Sequence, residues 1–273
     1  MKTITFIGAG NMASAIIGGL LASGCDPKLI TVYDKMEDKV NTLCEKGVNA
    51  ASSITTACEA SEFILLAVKP QNFSELLSEI KESGMDLSKN VFISIAAGIS
   101  TDAISTMLGR ETAVVRVMPN TPLQIGKGVS AVCRNSLVSD EDFELACSVF
   151  ECSGMIMKLD ESQLNTVICA NGSSPAYFYH FIDAVVKSAK AQGLECDDRT
   201  LLEAVCKTVI GSAEMLLASG KTAEELVRAV TSPKGTTERA MNVFYEENVA
   251  DTIDRAMRAC TARAEEMAQE FGK

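Results

Sequence analysis

The chain has 273 residues, 47% of them hydrophobic and 22% charged, which suits one large domain or two smaller ones with a sizeable core. A formal net charge of −11 opposes nonspecific attraction to nucleic acid or anionic membranes, and no apolar run is long enough to form a transmembrane helix. Ten cysteines, without a C-x-x-C pair and beside a single histidine, exclude a recognisable zinc pattern and read as reduced core or helix residues.

The stretch from Thr3 to Gly24 opens the element order: an apolar strand, Ile4–Ile7, runs through Gly8-Ala9-Gly10-Asn11-Met12-Ala13 into an apolar helix. That is the pattern with which an α/β protein holds a dinucleotide pyrophosphate. Gly8 permits the tight turn, Gly10 lets the backbone approach the phosphate, and Ala13 lets helix and strand pack closely. The first amides of the helix, Asn11 and Met12 among them, lack intrahelical partners and face the anion. The chain opens directly on this strand without a charged leader, so the cytoplasm is the expected location.

Further strands are predicted at Leu29–Tyr33, Phe63–Val68, Val91–Ile95 and Val114–Val117, between helical segments at Lys35–Lys46, Asn72–Glu82 and Thr101–Leu108. The alternation predicts an α/β fold of the Rossmann type, a doubly wound parallel sheet with helices on both faces. Gly128–Cys133 and Met155–Leu159 read as two more strands flanking a helix at Asp140–Glu151. Beyond Leu159 the pattern is helical throughout, at Glu161–Ala170, Pro175–Gln192, Arg199–Ser219, Ala223–Val230, Thr237–Glu246 and Val249–Phe271. A dinucleotide-binding domain over residues 1–159 and an all-α domain over 160–273 are therefore expected, with the boundary near Asp160. The last helix carries an apolar stripe, Val249, Ile253, Met257, Cys260, Ala264, Met267 and Phe271, which suits either its own domain's core or a subunit contact.

In a fold of this kind the ligand lies beyond the carboxyl ends of the strands. Three loops end strands there: Ala67-Val68-Lys69-Pro70-Gln71, Ala96-Ala97-Gly98, and Met118-Pro119-Asn120-Thr121-Pro122. Ala67, Val68, Lys69, Pro70, Ala97 and Asn120 are thus expected beside the cofactor. Asp34 ends the second strand, where a carboxylate binds the adenosine ribose of NAD and repels the 2′-phosphate of NADP, while Lys35 next to it offers a phosphate partner. Within the helical region, Thr231-Ser232-Pro233-Lys234-Gly235-Thr236-Thr237 breaks between two helices, and composition alone favours an ordinary N-cap loop over an anion site. His180 follows Pro175 on a helix with no partner motif near it.

Taken together, GAGNMA at the N-terminus, LAVKPQ at Leu66–Gln71, MPNTP at Met118–Pro122, GSSPAY at Gly172–Tyr177 and TSPKGTT at Thr231–Thr237 resemble the pyrroline-5-carboxylate reductase family, in family order along the whole chain. The resemblance implies reduction of 1-pyrroline-5-carboxylate to L-proline with NADPH or NADH, and a homo-oligomer built from dimers through the C-terminal helices. It further implies that Ser232, Gly235 and Thr236 bind the substrate carboxylate, and that Thr237 is the catalytic residue, hydrogen-bonded to the ring nitrogen. Lys234, Ser174 and Asn171 depart from the residues usual in the family. Two alternatives stand beside this reading. A β-hydroxyacid dehydrogenase would carry a lysine acid on the first long helix after the boundary, and none occurs from Asp160 to Asp183. A nicotinamide-binding sensor would bind cofactor without turnover.

Overall fold

The computed structural model describes residues Lys2–Phe271. Its first half alternates as the apolar runs dictate: β1 (Ile4–Ile7), α1 (Asn11–Ala22), β2 (Ile30–Tyr33), α2 (Glu37–Cys44), β3 (Asn49–Ala50), α3 (Ile54–Glu59), β4 (Phe63–Leu66) and α4 (Phe73–Glu82). Then follow β5 (Val91–Ser94), α5 (Thr101–Leu108), β6 (Ala113–Met118), β7 (Gly128–Arg134), α6 (Asp140–Glu151) and β8 (Gly154–Lys158). All the strands join one sheet in the order β3-β2-β1-β4-β5-β6-β7-β8. The strands are nearly continuous apolar runs because both sheet faces are covered. Ile4 and Phe6 of β1 point into one core with Phe63 and Leu65 of β4, while Ile7, Ile64 and Leu66 point into the other.

β1 pairs in parallel with both β2 and β4, so the chain leaves it in opposite directions and opens a crevice at its carboxyl end. The parallel arrangement extends through β6. β7 instead runs antiparallel to β6, because the connection through the single 3₁₀ segment Thr121–Ile125 is too short for a parallel crossover. After the α6 crossover, β8 lies parallel to β7. The sheet is thus mostly parallel.

The helical part comprises α7 (Ser174–Ala191), α8 (Asp198–Ser219), α9 (Ala223–Val230), α10 (Thr236–Glu246) and α11 (Val249–Phe271). The segment expected as a helix over Glu161–Ala170 is a short 3₁₀ turn, Glu161–Gln163, followed by a π-helical turn, Ile168–Gly172. Its side chains explain the departure: Glu161, Asn165 and Asn171 reach back to the sheet, while Leu164 and Ile168 fill a third core with Met118, Ala131 and Cys133. For the same reason the compact division of the chain falls later than Asp160. One unit comprises residues up to Pro175 together with those from Ala259 onward, and the other is Ala176–Arg258.

This division splits the stripe of α11. Cys260 and Ala264 pack in the third core and Phe271 against the second, so that end of the helix covers the sheet-containing unit. Ile253, in the other unit, is 53% exposed. Within Ala176–Arg258 Leu201 is the one apolar side chain that is fully covered, whereas Phe178, Phe181, Leu217 and Phe244 stand open. Capping fixes the helix starts here: Asp197 accepts from Thr200 N, and Thr222 forms a capping box with Glu225.

Candidate functional site

Gly8 has φ +106°, and a Cβ there would lie 2.6 Å from the Ala67 carbonyl oxygen. Only glycine allows the loop after β1 to approach the loop after β4 so closely. Gly10 is the N-cap of α1 and supplies no side chain to the helix start, which leaves the first amides of α1 unclaimed; nothing lies within 4 Å of a Cβ built on it. Ala13 is fully buried beneath them. A cleft of about 480 Å³ opens at this point, walled by Gly10, Asn11 and Met12 on one side and by Ala67, Val68, Lys69, Pro70 and Ala97 on the other. Uncapped amides facing a groove at the crevice beside β1 can hold a phosphate-bearing ligand.

Ile95, Ala96, Pro119 and Lys39 complete this wall; Ala96 and Pro119 lie in loops that the sequence points to, whereas Ile95 and Lys39 were not singled out. Lys39 had a helical signal, since it lies on the first turn of α2, but nothing local distinguishes its direction from that of Lys35. The structure does. Lys35 is exposed and its ammonium is bound to Glu75 at 2.6 Å, which pushes its pKa up and that of Glu75 down. Asp34 stands outside the cleft lining; its carboxylate accepts the Ala9 N–H at 2.7 Å and the Met36 N–H at 2.9 Å. It therefore shapes the glycine loop as well as placing a negative charge at the end of β2.

Asn120 is buried and turned away from the cleft. Its Oδ1 accepts the Val129 N–H at 2.9 Å and its Nδ2 donates to Asn171 Oδ1 at 2.8 Å. Asn171 Nδ2 in turn donates to the carbonyls of Met118 and Val129, both at 3.0 Å. The side chain expected at the cofactor thus locks the loop after β6 to the π-helical turn. Ser174 Oγ donates to the Ala170 carbonyl at 2.7 Å and so closes that turn at the start of α7.

A second polar cluster is built on a buried arginine. Arg116 on β6, 2% exposed, reaches Glu161 at 3.5 Å and Asn165 at 2.8 Å, while Glu161 accepts from the backbone and hydroxyl of Thr101. Burial pulls the arginine pKa down and the Glu161 carboxylate opposes that pull.

The loop between α9 and α10 belongs to the helical unit. Thr231 closes α9, Gly235 N–H donates to the Ser232 carbonyl at 2.9 Å, and Gly235 caps α10 without a side chain. Lys234 takes φ +62°, a left-handed conformation unusual for a residue with a Cβ, and its N–H donates to Glu238 Oε2 at 2.8 Å. Among the described residues, no intrachain hydrogen bond claims the hydroxyls of Ser232, Thr236 or Thr237. Free hydroxyls at an uncapped helix start can hold a small carboxylate. His180 is exposed on α7. Among the described residues, no group of three or more His, Cys, Asp or Glu side chains could hold a metal ion, and no helix is long and apolar enough to cross a membrane.

Comparison with known proteins places the whole chain in one family. Residues 161–267 match the family model for pyrroline-5-carboxylate reductase dimerisation, and residues 3–98 match that for NADP oxidoreductase, coenzyme F420-dependent. The pyrroline-5-carboxylate reductase of Escherichia coli (strain K12) is 37% identical over 271 residues, covering 98% of this chain and 99% of that protein. That of Vibrio alginolyticus is also 37% identical and covers 99% of each. Among solved structures, a pyrroline-5-carboxylate reductase from Coxiella burnetii superposes with a TM-score of 0.88 at 32% identity, covering 98% of each chain. A Plasmodium falciparum pyrroline carboxylate reductase with NADP bound gives 0.89 at 27% identity, again over 98% of each.

Proposed function

The chain belongs to the pyrroline-5-carboxylate reductase family, and from that premise we propose how its own residues bind and reduce the substrate. The protein is an NAD(P)H-dependent oxidoreductase that reduces 1-pyrroline-5-carboxylate to L-proline. When bound, the dihydronicotinamide supplies a hydride to the C=N carbon, which becomes C5 of proline. The residues that hold this cofactor in our reading are Gly8, Gly10, Asn11, Met12 and Ala13 at the pyrophosphate, and Ala67 to Pro70 with Ala97 along the opposite wall. Lys39 joins them from α2. Asp34 adds a negative charge at the adenosine end, and on that ground NADH is accepted.

The observation that carries the substrate assignment is the start of α10, where the hydroxyls of Ser232, Thr236 and Thr237 are free beside an uncapped helix N-terminus. Ser232, Gly235 and Thr236 hold the carboxylate of the cyclic imine, through the free hydroxyls and the uncapped amides that follow Gly235 at the start of α10. Gly235 is required because a Cβ there would meet Ser232 Oγ at 2.6 Å. Thr237 accepts a hydrogen bond from the protonated ring nitrogen and orients the C=N face. A protonated imine is already electrophilic, so the protein's task is orientation more than acid catalysis.

Replacement of Thr237 by valine keeps the shape and removes that bond. A hydrogen bond to a charged group is worth about 1.5–3 kcal/mol, so kcat/KM for the imine is expected to fall about 10- to 150-fold. The cofactor dissociation constant, measured by dihydronicotinamide fluorescence, should be unchanged. An unaltered kcat/KM in a folded variant would remove Thr237 from the mechanism.

For assembly, we read the open apolar faces of the helical unit as the surface through which the chain dimerises, since contiguous exposed apolar area marks a partner site.

A further inference from the structure

The loop from Ile95 to Ser100 joins β5 to α5 and contributes Ile95, Ala96 and Ala97 to the wall of the cleft. Nothing in its own sequence fixes its path, for it is short, apolar and contains a glycine. Two contacts from later in the chain do. At Gly98, with φ +78°, a Cβ would lie 3.0 Å from both the backbone carbon and the Cβ of Met267 on α11, so the loop backbone rests directly on that helix. At Thr101, the first residue of α5, the backbone N–H donates to Glu161 Oε1 at 2.8 Å and the hydroxyl donates to Glu161 Oε2 at 2.6 Å.

The Glu161 contact is not needed to start α5. Ser100 already caps that helix by accepting the Ala103 N–H at 3.1 Å. Nor is Glu161 free to turn elsewhere, because it compensates Arg116, whose strand is paired on both sides, with Ser94 of β5 and Cys133 of β7 as neighbours. The arginine leaves its Nε without a partner, so the placement of its guanidinium is set by Glu161 and Asn165 rather than by full satisfaction of its own donors. Rigidity therefore passes from the middle of the sheet, through one carboxylate, to the residue at which the cleft loop ends.

We propose that Glu161 is a positioning residue for the nicotinamide half of the dinucleotide: by holding Thr101 it keeps Ala96 and Ala97 in the conformation that lines the cleft. The inference rests on the reading that this cleft binds NAD(P)H. In a doubly wound sheet the loop after the strand beyond the switch point lies on the side of the cofactor away from its adenosine, so the glycine loop and Asp34 are outside the influence of Glu161.

The test compares NADH with ADP-ribose, which lacks the nicotinamide ring, by calorimetry on the full chain carrying Glu161→Gln, Thr101→Val or Thr101→Ser. If loosening lowers the population of the binding-competent loop to a tenth, the apparent dissociation constant for NADH rises about tenfold. That rise is expected for Glu161→Gln and Thr101→Val, with the ADP-ribose constant within about twofold of the parent value, whereas Thr101→Ser retains both donors and should bind like the parent. Unchanged NADH binding in either folded variant would overturn the proposal. Equal weakening of both ligands would also overturn it, since that is the mark of a general structural loss. A parent protein that binds neither NADH nor NADPH would overturn the reading of the cleft itself, and this inference with it.

Discussion

Asn120 and Asn171 join their side-chain amides at 2.8 Å inside the protein, and between them they also occupy the Val129 N–H and the carbonyls of Met118 and Val129. Every one of these groups is buried or partly buried, so the pair replaces water for both ends of the loop after β6. Truncation of Asn171 to alanine leaves Asn120 Nδ2 only the long bond to the Asn171 carbonyl, at 3.4 Å, and takes a donor from the carbonyls of Met118 and Val129. At about 1–3 kcal/mol per unsatisfied buried group, and with some relaxation, a loss of about 3 kcal/mol is expected. Urea denaturation measures it. A loss below about 1 kcal/mol would mean that the amide pair contributes little to the fold.

That pair also shows where sequence reasoning stopped. The strands and most helices were legible because apolar period and length are local properties, and the ends of α5, α6, α9 and α11 were placed to the residue. The two-residue strand β3 and the helix α3 were not seen. The first is too short to show a period, and the second is announced only by the capping box of Ser53 with Thr56. The glycine loop could be read because Gly8 and Gly10 answer to backbone geometry. Lys39, Glu161 and the inward turn of Asn120 could not, because each is decided by a partner distant in sequence. Glu161–Ala170 looked helical by pattern; what overrides that expectation is the set of bonds that Glu161 and Asn165 accept from Arg116 on the sheet and that Asn171 makes to Met118.

Lys2 donates to Asp142 at 2.8 Å and so pins the chain just before β1 to α6. The bond from the ammonium, with help from the Ser139 hydroxyl, holds the Asp142 carboxyl below its usual value near 3.8, and Asp142 pushes the Lys2 pKa up from 10.5. A depressed carboxyl pKa contributes stability that is complete above the unfolded value and is lost as pH falls through the folded value. The raised lysine contributes below 10.5 and is lost as pH rises through its folded value. For a pair this exposed, about 0.5–1 kcal/mol is expected. Lys2→Met should therefore be less stable than the parent at pH 7, and the gap should close as pH falls through the folded Asp142 value. A gap that persists undiminished at low pH would show that the lysine acts through packing alone.

Asp34 has two tasks, and they can be separated. Asp34→Asn keeps an oxygen to accept the Ala9 N–H and removes the charge that opposes a 2′-phosphate. The ratio of kcat/KM for NADPH to that for NADH is expected to rise about tenfold, equivalent to 1.4 kcal/mol. An unchanged ratio would confine Asp34 to shaping the glycine loop.

Ile253 and Phe181 are 53% and 51% exposed, so a charge at either position costs the isolated chain little. Buried in a subunit contact, the same charge would be expensive. Ile253→Glu and Phe181→Glu are each expected to yield folded monomers by light scattering and circular dichroism, against a dimer or larger assembly for the parent. A parent that is monomeric at micromolar concentration would contradict the proposed interface.

The chemistry itself is tested most directly by supplying 1-pyrroline-5-carboxylate with nicotinamide cofactor deuterated at the transferable position and analysing the product by mass spectrometry and NMR. The account predicts L-proline bearing one deuterium at C5, with one cofactor oxidised per proline formed. Cofactor oxidation without proline, or proline without deuterium at C5, would contradict hydride transfer to the bound imine.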